Sequence, residues 1–320
     1  MPSIIKIIND IKRVSLTLFK IMIPTIIVVK ILEELGFIIV LTEILKPLTS
    51  FIGLPPELAI VITSTMLVNL YAGLIIISGI TLTQDLSLAQ STILATFMLF
   101  THGLPVEVLI SYKSGVRIWV TLFIRIGSGI FFCFLLKHLM SSFSYFSKTI
   151  YINLPKTLPT DDFFYWIIGQ FKSLFIIFIV IIILIIFLEF LKILGIEKLI
   201  RLIFKPFLNF LGIGDKASTI AIVGVTLGVS FGGGLLIKEV SSGSIPRNDV
   251  FGVVCLINLF HSAFEDTSLM MLLNPSLFII LIGRALFSII VILILMMIVK
   301  KLPDYFWEKY LINKNLPCSK

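Results

Sequence analysis

Residues 174–188 read LFIIFIVIIILIIFL, a run without a single polar side chain. The apolar stretch extends back to Trp166, broken only by Gly169, Gln170, Lys172 and Ser173. A helix needs about 20 apolar residues to cross the hydrocarbon core of a bilayer. Trp166 to Leu188 is long enough, and Leu277 to Val299, interrupted by Gly283, Arg284 and Ser288, is a second such run. In lipid the backbone must satisfy its own hydrogen bonds, which a helix does within one segment. The whole chain follows suit, with 58% hydrophobic residues, 14% charged residues and a mean hydropathy of +1.11. Soluble domains carry about 25% charged residues, so this chain lacks the polar surface to face water all round. The fold class is therefore an all-α polytopic integral membrane protein.

The formal charge of +8 is spread over lysines and arginines near span ends, where lipid headgroups and the positive-inside bias account for it. No solvated basic face suggests nucleic acid as a partner. Cys133, Cys255 and Cys318 form an odd set without C-x-x-C spacing, which argues against a disulfide framework or a zinc ribbon. Lys20 interrupts the first apolar run and no small-residue cleavage site follows, so the start reads as an anchored first span.

The sequence aligns with itself at an offset of about 159. Gly36 falls on Gly195, Lys46-Pro47 on Lys205-Pro206, Phe51 on Phe210 and Gly53 on Gly212. Further along, His102 falls on His261, Glu107 on Asp266 and Arg125 on Arg284. A slip of about two residues between these blocks matches Asn69 to Ser230 and Gly73-Leu74 to Gly234-Leu235. Leucine matches arise by chance in such a composition; a Lys-Pro, a histidine, an acid and an arginine in one register do not.

The expected organisation is a first repeat over 1–140, a linker over 141–162, a second repeat over 163–303 and a polar tail over 304–320. Each repeat holds an apolar span, an amphipathic helix (Phe37 to Phe51; Ile196 to Leu211) and a glycine-punctuated apolar segment (Leu58 to Ile80; Ala217 to Val240). Then comes an apolar segment ending at the histidine, and a last span. Pro47 and Pro206 are expected to kink the amphipathic helices. Tyr145, Tyr151, Tyr165 and Trp166 suit a headgroup-level belt, as do Tyr305, Trp307 and Tyr310.

Charge sets the expected orientation of the repeats. After the first span, copy one carries Lys46 as its basic residue, whereas copy two carries Lys192, Lys198, Arg201, Lys205 and Lys216. Equivalent loops of such different basicity are expected on opposite sides of the membrane, as in inverted-topology repeats. Inversion needs an odd number of crossings per repeat, so one glycine-broken segment is expected to be re-entrant.

These residues resemble the nucleoside-recognition, or Gate, domain family. The resemblance rests on the Lys-Pro plus Gly element, the glycines Gly232 to Gly234 and the His-plus-acid end of the following helix, and it covers nearly the whole chain as two copies. That family includes parts of concentrative nucleoside transporters, the membrane domain of ferrous-iron transporters and stand-alone spore-maturation proteins. No G-x-x-x-x-G-K-[ST] occurs, so the GTP-binding half of an iron transporter is missing from this sequence. The resemblance implies a transport-like scaffold in a bacterial inner (cytoplasmic) membrane, crossing it several times.

The candidate substrate- or ion-binding residues are Asn69, Gly73, His102 and Glu107 in the first copy, and Ser230, Gly232, Gly233, Gly234, Asn258, His261, Glu265 and Asp266 in the second. Ionisable groups inside a membrane are costly and point to function. Histidine titrates near neutrality, and carboxylates take protons or cations. Helix-end histidines bonded to nearby carboxylates are the plain alternative. His261 outranks His102 because Glu265 adds an acid one turn away, so the site is expected to be weighted to the second copy. Asn258 shares a helix face with His261. Asn69 and Ser230 beside broken backbone could bind a polar solute, and close helix packing explains the glycines equally well. Arg125 and Arg284 could pair with Glu107, Asp266 or an anionic substrate; for Arg125, snorkelling to the headgroups is the expectation. Gly228 to Gly232 (GVSFG) matches G-x-S-x-G, but an apolar helix is the wrong context for a nucleophile elbow, and no H-E-x-x-H occurs.

The function expected is a permease for a small polar solute or ion; the alternative is a non-transporting membrane scaffold. No catalysis and no cofactor are expected, and the nature of any metal is open. The expected partners are the lipid bilayer and the transported solute or ion, with self-association into a homo-oligomer left open.

Overall fold

The computed structural model describes residues 34–80, 82, 85–152, 163–195, 205–208, 213–228 and 245–313, with isolated positions elsewhere. Among the described residues all regular structure is helical. In order the helices are α1 (Phe37–Phe51), α2 (Ala59–Leu67), α3 (Leu70–Gly79), α4 (Leu88–Thr101), α5 (Leu104–Lys113), α6 (Ile118–Ser141) and α7 (Phe163–Ile193). They continue as α8 (Asp215–Leu227), α9 (Arg247–Leu259), α10 (Glu265–Met270) and α11 (Phe278–Val299). Among the described residues, stretches long and apolar enough to cross a membrane include the α4–α5 run Leu88–Lys113 of 26 residues, α6 of 24 and α11 of 22. The 31 residues of α7 rise about 46 Å, more than the roughly 30 Å hydrocarbon core.

The chain divides into two compact units. One comprises Met1–Met98, Phe134–Leu194 and Ser268–Pro275; the other comprises Leu99–Cys133, Gly195–Thr267 and Ser276–Lys320. Each unit thus draws on both halves of the sequence.

In the first unit α1 occupies the span expected of the amphipathic helix and runs on through Pro47. Lys137 Nζ donates to the Phe51 carbonyl at 2.9 Å, satisfying an orphan acceptor at the α1 C-terminus. The glycine-punctuated segment is two helices rather than one. The break falls at Val68-Asn69, where Asn69 is fully extended and its side-chain oxygen accepts the Ala72 N–H at 2.9 Å, an N-cap. Gly73 lies against α2: a Cβ there would overlap Thr65 Oγ1 and approach Met98 Cε to 2.7 Å. Residues eight apart in one straight helix are about 12 Å apart, so the chain doubles back at Asn69. α2 and α3 contain 9 and 10 residues, too few to cross a bilayer of about 30 Å. The pair is a hairpin of half-helices, the shape a re-entrant segment needs.

In the second unit α9 is the centre. All of Asp249 to Leu259 is buried, and α8 packs against it. At its start Asp249 Oδ2 accepts the Gly214 N–H at 2.8 Å, tying the α8 entry to α9. In segment 304–313, expected to be a polar tail, Asp304, Glu308 and Lys309 are exposed while Trp307, Leu311 and Ile312 are buried. Trp307 is 2% exposed, stacks edge-on to Phe251 at 5.3 Å and donates from its indole to the Val299 carbonyl at 3.1 Å. The buried indole is no headgroup anchor, because it finds its hydrogen-bond partner inside the protein. Tyr305, by contrast, is exposed, as are Tyr145, Tyr151 and Tyr165.

The second unit contains helical segments with a wider π-type turn. Of these, Phe123–Gly127 holds Arg125, and Phe278–Gly283 ends immediately before Arg284. A π-turn inserts a residue into the helical ladder and rotates the side chains beside it, a device common near functional sites.

Candidate functional site

The site lies wholly within the second unit, and it is built on two helix breaks. α4 ends at Thr101 and α5 begins at Leu104; between them His102 leads into Gly103 at φ +58°. α9 ends at Leu259 and α10 begins at Glu265; between them His261 leads into Ser262 at φ +44°. The left-handed turn costs glycine nothing, whereas Ser262 carries a Cβ into a region L-residues rarely visit. The second turn is held from outside: Ala263 N–H donates to the Val225 carbonyl at 2.8 Å. Gly228, itself at φ +87°, lets Ser262 come close, since a Cβ there would overlap its hydroxyl. Burial in protein is what permits such broken backbone at membrane depth.

Each break leaves carbonyls without a helical donor, and each is served by an arginine 23 residues further on. Arg125 donates to the His102 carbonyl at 2.7 Å. Arg284 donates to the His261 carbonyl at 3.4 Å and, from Nε, to the Leu259 carbonyl at 3.1 Å. Both guanidiniums are fully buried. The expectation that Arg125 would snorkel is overturned: the freed carbonyl and the Glu107 carboxylate, with which it forms an ion pair, hold it inside. Arg284 sits between the Phe260 and Phe100 rings, 5.0 and 5.6 Å from their centroids, a cation–π setting for a buried charge.

The histidine side chains then meet. His261 Nδ1 lies 2.8 Å from the Ile257 carbonyl, which only an N–H can satisfy, so its free lone pair is on Nε2. That Nε2 lies 3.1 Å from His102 Nε2. Glu107 Oε1 is 3.0 Å from His102 Nε2 and 3.3 Å from His261 Nε2. Asp266 Oδ2 is 3.5 Å from the first and 3.6 Å from the second. Two imidazole nitrogens and a Glu107 oxygen thus converge on one buried spot, with an Asp266 oxygen beside both imidazoles.

Of the expected residues, His102, Glu107, His261 and Asp266 come together. The expected weighting to the second copy is not what the geometry shows: each half of the sequence supplies one histidine and one acid, and Glu107 makes the shorter contacts. Glu265 adjoins this group without a direct ion pair to either histidine among the described contacts. Asn258 is buried one turn before His261, and its amide donates at 2.8 Å both to Ser111 Oγ and to the Val254 carbonyl. Asn69 and Gly73 belong to the first unit, where the first caps α3 and the second permits its close packing. Ser230, Gly232, Gly233 and Gly234 lie outside the described residues, and with them the GVSFG motif. Reasoning from sequence offers Arg125 and Arg284 as partners of Glu107 or Asp266 but does not count them among the binding residues. The signal available was their common 23-residue spacing from the two histidines.

The fold and the span lengths define an α-helical membrane protein. The chain is similar to a Bacillus subtilis (strain 168) protein described as the uncharacterized membrane protein YvoD, with 26% identity over 262 residues covering 78% of this chain and 80% of the relative. No protein-family model matches the sequence, and no solved structure matches it.

Proposed function

We propose that the chain is a permease for a small polar solute or ion, and that the cargo binds where His102, Glu107 and His261 converge beside Asp266. One observation carries the reading: two broken helices deliver two imidazoles and a carboxylate to a single buried point, with a second carboxylate beside it. Buried ionisable groups are costly in a membrane and are kept where they handle ions or protons. Broken helices with a site at the junction of two repeats are the architecture of many secondary transporters. Here the two repeats are those read at an offset of about 159, of inverted topology and similar to the nucleoside-recognition family. The α2–α3 hairpin, too short to cross, supports an odd number of crossings. In this reading the protein catalyses no covalent step.

Uptake by reconstituted vesicles tests it. Vesicles bearing wild type should accumulate one class among nucleosides and divalent cations, assayed at two pH values, faster than empty vesicles. Asp266→Asn and His261→Gln should abolish the difference while the protein stays folded by circular dichroism. No uptake of any solute by folded wild type would favour a non-transporting scaffold.

A further inference from the structure

We infer that the convergence point is a binding site for one first-row divalent transition-metal ion of the zinc and cobalt type, with His102 Nε2, His261 Nε2 and Glu107 Oε1 as protein ligands and Asp266 Oδ2 beside both imidazoles. The inference deepens the permease reading and rests on the same site, but it stands or falls on binding rather than on uptake.

The spacing is the first support. In a tetrahedral site with metal–nitrogen distances near 2.0–2.1 Å, two ligating nitrogens are about 3.3 Å apart. The two Nε2 atoms are 3.1 Å apart, and the carboxylate oxygens lie 3.0–3.6 Å from them. His102, Glu107 and His261 are all buried and offer one ligand atom each within 4.8 Å of one another.

The second support is the state of the donors. His261 spends its Nδ1–H on the Ile257 carbonyl and so turns a lone pair toward His102. Asp266 Oδ2 is buried without a hydrogen-bond partner while facing the same point. Buried acceptors normally find a partner, and one left over beside two imidazole nitrogens marks the place of a cation.

The surroundings are those of a ligand set. A carbonyl bonded to the far nitrogen of a ligating histidine fixes its tautomer, and Ile257 supplies it for His261. Arg125 holds the other oxygen of Glu107 and orients it. With neutral imidazoles, the Glu107 and Asp266 carboxylates offset the charges of Arg125 and Arg284, so a divalent cation meets a site whose arginines are already paired. Two imidazoles exclude calcium and magnesium as the preferred ions, since those take oxygen ligands.

The test is cobalt titration of the full-length protein, purified in detergent and stripped with chelator. The expected result is one Co²⁺ per chain with the strong visible absorption of a tetrahedral site, displaced by Zn²⁺ and unaffected by millimolar Ca²⁺ or Mg²⁺. His102→Gln and His261→Gln should each weaken binding at least tenfold. His138→Ala, which removes the one other histidine of the chain, should leave it unchanged. Folded wild type that binds no stoichiometric Co²⁺, or whose absorption is octahedral, overturns the inference. So does binding that survives both glutamine variants or is lost in His138→Ala. Should a variant fail to fold, the wild-type spectrum and the calcium competition still decide. Metal binding without uptake would keep this site and reject the permease. Nucleoside uptake without metal binding would do the reverse.

Discussion

His102 and His261, 159 residues apart, point their Nε2 atoms at each other across 3.1 Å. Their main chains are in matching situations as well: each stands in a helix break, each precedes a left-handed residue, and each carbonyl is held by a buried arginine. The contact is therefore the product of two turns and two arginines.

Arg125→Met should be strongly destabilising, because it leaves the Glu107 carboxylate buried without its cation and the His102 carbonyl without its donor. Breaking a buried pair by removing one partner costs about 3–5 kcal/mol. Glu107→Gln combined with Arg125→Met should recover part of that loss, since no uncompensated charge remains. Thermal unfolding in detergent measures both, and a double variant less stable than Arg125→Met alone would contradict the pairing.

The turn after His261 carries strain that its counterpart avoids with Gly103. Ser262→Gly should relieve it and raise stability by up to about 1 kcal/mol, offset in part by the entropy glycine loses on folding. Ser262→Val, β-branched in a left-handed turn, should lower stability. The informative result is the opposite sign of the two midpoint shifts.

Gly73→Ala should loosen the α2–α3 hairpin, because the new methyl has to displace Thr65 and Met98. Overpacking of this kind costs about 1–3 kcal/mol. Thr65→Ala should compensate, as it removes the atom that clashes. If the double variant unfolds no later than Gly73→Ala, the two helices do not meet as described.

Burial raises the pKa of the Asp249 carboxyl from its ordinary 3.8, outweighing the Gly214 N–H and the Lys300 charge, which pull it down. A raised carboxyl pKa means that the folded protein holds its proton to higher pH than the unfolded chain does. The stability contributed by the protonated form is thus full below the ordinary value and is lost as pH rises through the raised one. Asp249→Asn keeps an oxygen for the Gly214 N–H and cannot ionise. Its stability relative to wild type should therefore increase as pH rises through that window, which unfolding midpoints between about pH 3 and 7 would reveal.

Much of the protein was legible before any coordinate. The LFIIFIVIIILIIFL run and the scarcity of charge allow no solvent but lipid. The alternation of apolar and charged residues placed an amphipathic helix at Phe37 to Phe51, where α1 lies. Common spacing put two histidines, two acids and two arginines on one register. These are local properties, written in composition and period.

What tertiary structure alone decided is which of those residues touch. The break in the 58–80 segment falls at Asn69 because its side chain caps the next helix, and Gly73 serves the fold-back rather than making the break. Arg125 turns inward because a carbonyl freed by the His102 turn lies within its reach, and no period in the sequence records a freed carbonyl two helices away. His102 and His261 meet because helix packing fixes the directions of side chains far apart in the chain. Spacing along a sequence fixes the face of a helix; only the neighbouring helices fix what that face meets.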